Sequence, residues 1–113
     1  MLRLESGGRK KGCAPFEKSI GWVVISAESL PNPYVAIKNG DLKNELELLQ
    51  CWISKRAPIP WRRILKKCVD ALNKGMHVRV QCAGGQHRSY SIAEAVARNY
   101  SGELTVVHRD RAV

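Results

Sequence analysis

One stretch constrains this chain more than any other: Val78-Arg-Val-Gln-Cys82-Ala-Gly-Gly-Gln-His87-Arg88-Ser89, where strand-forming residues pass through two glycines into a helix-forming run. Val78 and Val80 alternate with Arg79 and Gln81, the period-two pattern of a half-buried strand. From Arg88 onward Ile92, Ala95, Val96 and Tyr100 recur at helical spacing, and the alanines raise helix propensity. Gly84 and Gly85 let the backbone turn sharply and leave its amides uncovered by side chains. The first N–H groups of a helix have no carbonyl partner, and the aligned peptide dipoles add partial positive charge there. A phosphate answers both demands, so the stretch predicts an anion pocket at the strand-to-helix junction. Its expected lining runs from Cys82 and Ala83 through the amides of Gly84, Gly85 and Gln86 to the Arg88 fork and the Ser89 hydroxyl. His87 and His108 would add donors whose strength follows pH, although either one alone also reads as an ordinary surface or core-edge histidine. The plainer alternative for the whole stretch is a tight βα turn with a buried cysteine ending the strand.

The spacing Cys82, five residues, Arg88, Ser89 is also the Cys-x5-Arg-Ser signature of cysteine phosphatases. There a thiolate attacks phosphorus, the arginine grips two phosphoryl oxygens, and the helix N-terminus lowers the thiol pKa. Cys82 therefore carries two readings, a nucleophile or a buried structural residue. A nucleophile needs an acid for the leaving group. Asp41 looks like a helix cap and Asp70 lies within a helix, which leaves Asp110 as the one credible acid.

The 113 residues, 44% of them hydrophobic, suffice for one core and predict a single domain over residues 1–113. Nineteen Lys and Arg against 10 Asp and Glu give a net charge of +9, which favours a polyanionic partner; a solvated basic face is the alternative. The four cysteines include no Cys-x-x-Cys pair, and no signal peptide precedes them, so a reduced cytoplasmic setting is expected. His77, His87 and His108 are not at ligand spacings from the cysteines, so neither a metal nor a cofactor is expected. Ile20-Gly-Trp-Val-Val-Ile25 is too short to cross a bilayer, which argues against a membrane role.

Taken in order, Leu2 and Leu4 alternate with Arg3 and Glu5 as a short strand, followed by a basic glycine loop with Arg9, Lys10 and Lys11. That loop either closes over phosphate or is a solvated turn. Ser19 to Ala27 reads as a buried central strand that ends at Leu30-Pro-Asn-Pro33. Asn39-Gly40-Asp41 predicts a turn and an N-cap for a helix from Leu42 to about Arg56. Pro58 and Pro60 open a second helix with Trp61, Ile64, Leu65, Cys68, Val69 and Leu72 along its apolar stripe. Arg62, Arg63, Lys66 and Lys67 lie opposite that stripe and suit either an RNA phosphate backbone or plain solvent. After the helix at 88–100, Leu104 to His108 forms a last strand, and a strand-helix-strand unit of this size predicts a parallel pair joined by a crossover. Parallel neighbours end at one edge, so His108, Arg109 and Asp110 are expected beside the 82–88 loop. The fold class is α/β: one small domain, a mixed but mostly parallel sheet of about four strands flanked by about three helices.

Four segments in a shared order carry a more specific resemblance. Ser6-Gly-Gly8-Arg-Lys10-Lys-Gly12, Leu30-Pro-Asn-Pro33, Cys82-Ala-Gly-Gly-Gln-His-Arg-Ser89 and Val106-Val-His108-Arg109-Asp110 together resemble the C-terminal domain of the RapZ family of RNase adaptor proteins. The resemblance implies a regulatory domain that senses an amino-sugar phosphate or nucleotide-like ligand, binds structured RNA, touches a ribonuclease and self-associates. It also raises Asn32 from a turn former to a ligand contact. Ser26 and Glu28 stand where the family has an Asp and an Arg, and the family's basic tail and N-terminal nucleotide-binding domain have no counterpart in these residues. A stand-alone version is therefore expected. A protein that sequesters a phosphorylated metabolite or nucleotide signal without chemistry is the remaining alternative.

Overall fold

A computed structural model describes residues 1–16 and 19–111. Four strands, β1 (Leu2–Gly8), β2 (Trp22–Ser26), β3 (His77–Cys82) and β4 (Leu104–His108), form one sheet in the order β2-β3-β1-β4. Every neighbouring pair is parallel, so the sheet is wholly parallel rather than mixed. Four helices accompany it: α1 (Tyr34–Lys38), α2 (Leu46–Arg56), α3 (Pro58–Asn73) and α4 (Arg88–Asn99).

Register sorts the strand residues onto two faces. Leu4 lies opposite Val78 on one side and Val106 on the other, while Ile25 lies opposite Val80. These residues meet Ile64, Cys68 and Leu72 of α3 and Ile92 and Val96 of α4 in a single core. Each fully buried aliphatic side chain there stabilises the fold by about 2 kcal/mol relative to exposure. Burial pushes the Cys68 thiol up to about 12, which keeps it protonated and inert. Helix α2 adds Leu49 and Ile53 to the buried set.

The opposite face carries charge. Glu5 pairs in register with Arg79, and the Arg79 side chain, 1% exposed, lies beneath the Phe16 ring with its guanidinium carbon 4.8 Å from the ring centroid. One carboxylate serves three arginines: Glu5 lies 3.4 Å from Arg79 Nη1, 2.8 Å from Arg109 Nη2 and 3.3 Å from Arg3 Nη2.

Several expectations need correction. The β-branched run at 19–27 forms an edge strand, not a central one, and is shorter than expected. Burial under α3 makes an edge strand as apolar as an interior one, so composition cannot separate them. The interior position belongs to β1, which runs on through Gly8. The β3-α4-β4 unit does join parallel strands, but β1 lies between β3 and β4, so the two are not neighbours. Asp41 does not cap α2, which starts at Leu46 behind Glu45. Its amide instead donates to Ala36 O at 2.9 Å, closing the turn after the short helix α1, which went unpredicted. Gly75, at φ +80°, follows α3 in the left-handed position expected of a terminating glycine.

Candidate functional site

The C-terminal ends of β1 and β3 lie side by side, Gly8 opposite Cys82, and the chain emerging from each passes close to the other. Arg9 N–H donates to Cys82 O at 3.0 Å, and Lys10 N–H to Ala83 O at 3.1 Å. Gly85 turns at φ +71°, and a Cβ built there would stand 2.4 Å from Gly8 N. Close approach and left-handed backbone both demand glycine at this point. Asp110 pins the underside: its Oδ2 accepts from Gly8 N–H at 2.8 Å and its Oδ1 from Ala14 N–H at 2.7 Å.

Above this floor lies a cavity of about 270 Å³ lined by Lys10, Asn32, Tyr34, Cys82, Ala83, Gly84, Gln86, His87 and Arg88. Gly85 N–H donates to Cys82 Sγ at 3.2 Å, so that amide is engaged within the loop. Among the described residues, the amides of Gly84, Gln86, His87 and Arg88 make no hydrogen bond. They stand at the opening of α4, where partial positive charge accumulates.

Arg88 is only 8% exposed, and its Nη1 donates to Glu28 O at 3.0 Å and Leu30 O at 3.2 Å. Those two bonds use one nitrogen and fasten the Leu30-Pro-Asn-Pro33 segment as the cavity wall. Asn32 Oδ1 accepts from Tyr34 N–H at 3.1 Å, which leaves its amide nitrogen for other partners. Tyr34, 56% exposed at the mouth, was not singled out from sequence; nothing but its place after Asn32-Pro33 could have marked it. Arg111 was missed as well. It donates to Gln86 O at 2.6 Å and Asn44 Oδ1 at 2.8 Å and stacks on Tyr90, holding the outer side of the loop.

Other expected contacts lie elsewhere. Ser89 is fully buried, with its Oγ 3.2 Å from Cys82 Sγ, and so stands behind the cysteine rather than at the cavity. His108 bridges Ser6 Oγ at 2.6 Å and Glu94 Oε1 at 2.9 Å on the helical side of the sheet. Arg109 turns to the opposite face and Glu5. Turned to the two faces of the sheet, neither side chain lines the cavity, although Asp110 and Arg111 just beyond them reach the loop. Asp110 is not placed as a phosphatase acid, because both of its oxygens accept backbone N–H groups below the cavity. Ser26 and Glu28 do not line the cavity either. Ser26 Oγ accepts Glu28 N–H, and the Glu28 carboxylate pairs with Arg9 Nε at 2.7 Å, which holds it below the usual carboxylate range.

Of the six expected RNA-binding cations, Lys10 lines the cavity while Lys11, Arg62, Arg63, Lys66 and Lys67 are exposed outside it. Lys66 pairs with Asp70 at 2.7 Å, one helical turn on, which relieves part of the like-charge repulsion on α3. Among the described residues, no group of three His, Cys, Asp or Glu could hold a metal ion, and no helix is long and apolar enough to cross a membrane.

Burial pushes the His87 imidazole down, and the nearby Arg111 and Arg88 charges push it the same way. An anion in the cavity would oppose both arginines and raise that pKa, so binding takes up a proton. Sulfate, which does not titrate near neutrality, is therefore expected to bind more tightly as pH falls from about 7.5 to about 5.5. Titration of the His87 ring by NMR with and without sulfate checks this; an unmoved midpoint would place the anion elsewhere.

A parallel α/β sheet with a glycine loop, a helix N-terminus and an arginine converging on one cavity at the carboxyl ends of its strands defines a class of small α/β domain with its candidate site at the strand ends. Within that class the family is clear. The chain matches the family described as the RapZ C-terminal domain over residues 1–112 and belongs to it. It is also similar to the nucleotide-binding proteins TTHA0319 and TT_C1664 from two strains of Thermus thermophilus, each 32% identical over 97% of this chain. The chain spans 42% of the length of each of these relatives. No solved structure matches.

Proposed function

We propose that this domain recognises the phosphate group of a small phosphorylated ligand in the Cys82–Arg88 cavity and serves as a regulatory sensor. The observation that carries the reading is the set of unengaged amides at Gly84, Gln86, His87 and Arg88, gathered around one cavity with Lys10 and the partly committed Arg88. Asn32 and Tyr34 on the opposite wall suit the body of the ligand, an amino-sugar phosphate or a nucleotide. Family membership supports the first, and the similarity to nucleotide-binding proteins of Thermus thermophilus supports the second. Coupling to structured RNA, with a ribonuclease partner and self-association, extends the same reading. Its support is the +9 charge and the exposed cations of α3.

Cysteine-dependent hydrolysis is the second reading. Its specific support is Cys82 Sγ, at the cavity and in contact with both Gly85 N–H and Ser89 Oγ. Against it stands Asp110, fully engaged by backbone amides.

Calorimetric titration with inorganic phosphate, glucosamine phosphate and adenosine monophosphate tests both. At least one organic phosphate should bind more tightly than inorganic phosphate. Lys10→Ala and Arg88→Lys should each weaken it about tenfold, the loss of one charge-assisted contact. Cys82→Ser should leave binding in place, and p-nitrophenyl phosphate should not turn over. Absence of binding by all three probes at millimolar concentration sinks the sensor reading; turnover that Cys82→Ser removes would establish the hydrolase instead.

A further inference from the structure

Strand β2 leaves one edge of the sheet open. His77 N–H donates to Gly21 O at 2.7 Å, and Ala27 N–H donates to Gln81 O at 2.8 Å. In a parallel ladder, alternate residues turn both main-chain groups to the same neighbour. Residues 21, 23, 25 and 27 therefore face β3, while Trp22, Val24 and Ser26 face away from it. Trp22 N–H is taken by Ser19 O, but among the described residues the main-chain groups of Val24 and Ser26 have no partner.

Beside that edge lies a second hollow, of about 410 Å³, between β2 and α3. Ile25, Pro60 and Ile64 give it an apolar floor, and Arg63 and Lys67 line its rim with no carboxylate among the lining residues. Both cations are exposed, and among the described residues neither forms an ion pair; on the other flank Lys66 has Asp70.

The spacings fit an extended chain. Side chains two residues apart on one face of a strand are about 6.6 Å apart. Residues four apart on a helix are separated by about 6 Å along its axis. Carboxylates at alternate positions of an added strand would thus meet Arg63 and Lys67 in turn. A second copy of this domain is the poorer occupant, because it would bring the same cations to the same edge.

We propose that the β2 edge receives an extended acidic segment of a partner protein by strand addition, its alternate carboxylates paired with Arg63 and Lys67. Open main-chain groups supply the attachment, and the rim charges select the sequence. The surface is separate from the phosphate cavity, so this holds or fails independently of the small ligand, while it competes with RNA for Arg63 and Lys67 of α3.

The probe is a fluorescein-labelled peptide of about eight residues built around Val-Glu-Val-Glu, a typical strand length. It should bind saturably and shift the Val24 and Ser26 amide resonances. A Val-Lys-Val-Lys version, and an acidic version N-methylated at alternate amides, should not bind. The double substitution Arg63→Glu, Lys67→Glu, both at exposed positions, should weaken binding roughly tenfold or more while the circular dichroism spectrum and phosphate binding stay unchanged. No binding at millimolar peptide, equal binding of the lysine version, or shifts confined to other strands would overturn the proposal. So would sedimentation showing a homodimer that the same double substitution disperses.

Discussion

Gly85→Ala is expected to destabilise the domain by about 3 kcal/mol or more and to abolish anion binding, whereas Gly84→Ala, one residue earlier, should change stability by less than about 1 kcal/mol. The two glycines look alike in sequence but meet different surroundings. A Cβ at Gly85 would stand 2.4 Å from Gly8 N, 2.7 Å from Gly7 C and 2.9 Å from Asp110 Cβ, and the residue sits at φ +71°. Two of those three atoms are backbone of the interior strand β1, so relief would require the sheet itself to shift. Gly84 has a non-positive φ and nothing within 4 Å of the added carbon. Urea denaturation of both variants beside the parent measures the difference. Equal stability for the pair would mean that the loop does not lie against β1 as described.

Glu5→Leu should be the most damaging charge removal, about 3–5 kcal/mol, because it leaves Arg79 buried without a countercharge. Arg79 keeps contacts with Gln81 Oε1 at 3.2 Å, Ala14 O at 3.2 Å and Gly8 O at 3.4 Å, but none of these is an anion. Replacing both partners, Glu5→Leu with Arg79→Met, should recover much of the loss, since a buried pair exchanged for apolar groups is often nearly neutral. The pair also predicts an acid limit. Burial alone would raise the Glu5 pKa, yet the hydrogen bond and charge of Arg109, with those of Arg3, outweigh it, and the net shift is downward. A depressed carboxylate contributes stability that is complete above its unfolded value of about 4.3 and is lost as pH falls toward the folded one. Thermal unfolding across that window should show the parent losing stability with acid. A double-variant curve of the same slope would remove Glu5 as the cause.

What the sequence disclosed follows from how local each signal was. The Val78–Ser89 stretch was legible because strand alternation, glycine pair and helical spacing lie within twelve consecutive positions and need no distant partner. The helices α3 and α4 followed from their apolar stripes, with Ile64, Cys68 and Leu72 buried as the spacing implied. Strand order was not legible. Leu2 and Leu4 gave too short a pattern to reveal that β1 continues through Ser6-Gly7-Gly8 and occupies the interior. His108 and Arg109 stand off the cavity because their side chains turn to the two faces of the sheet, a direction the pattern did not reveal, while Asp110 and Arg111 just beyond them do meet the loop. Tyr34 and Arg111 depend wholly on tertiary placement, one at the cavity mouth and one bonded to Gln86 O. The Leu30-Pro-Asn-Pro33 segment became meaningful only with Arg88 Nη1 bonded to its preceding carbonyls.

The floor of the cavity joins residues that leave the ribosome at well-separated times. Gly8 belongs to the first strand of this sheet to be made, Gly85 to a loop made much later, and Asp110, which ties Gly8 and Ala14 together, comes after every helix of the described residues. A nascent polypeptide that has reached only His108 has its sheet residues in hand but no carboxylate to hold those two amides. Closing that floor thus waits on a residue that follows every described strand and helix.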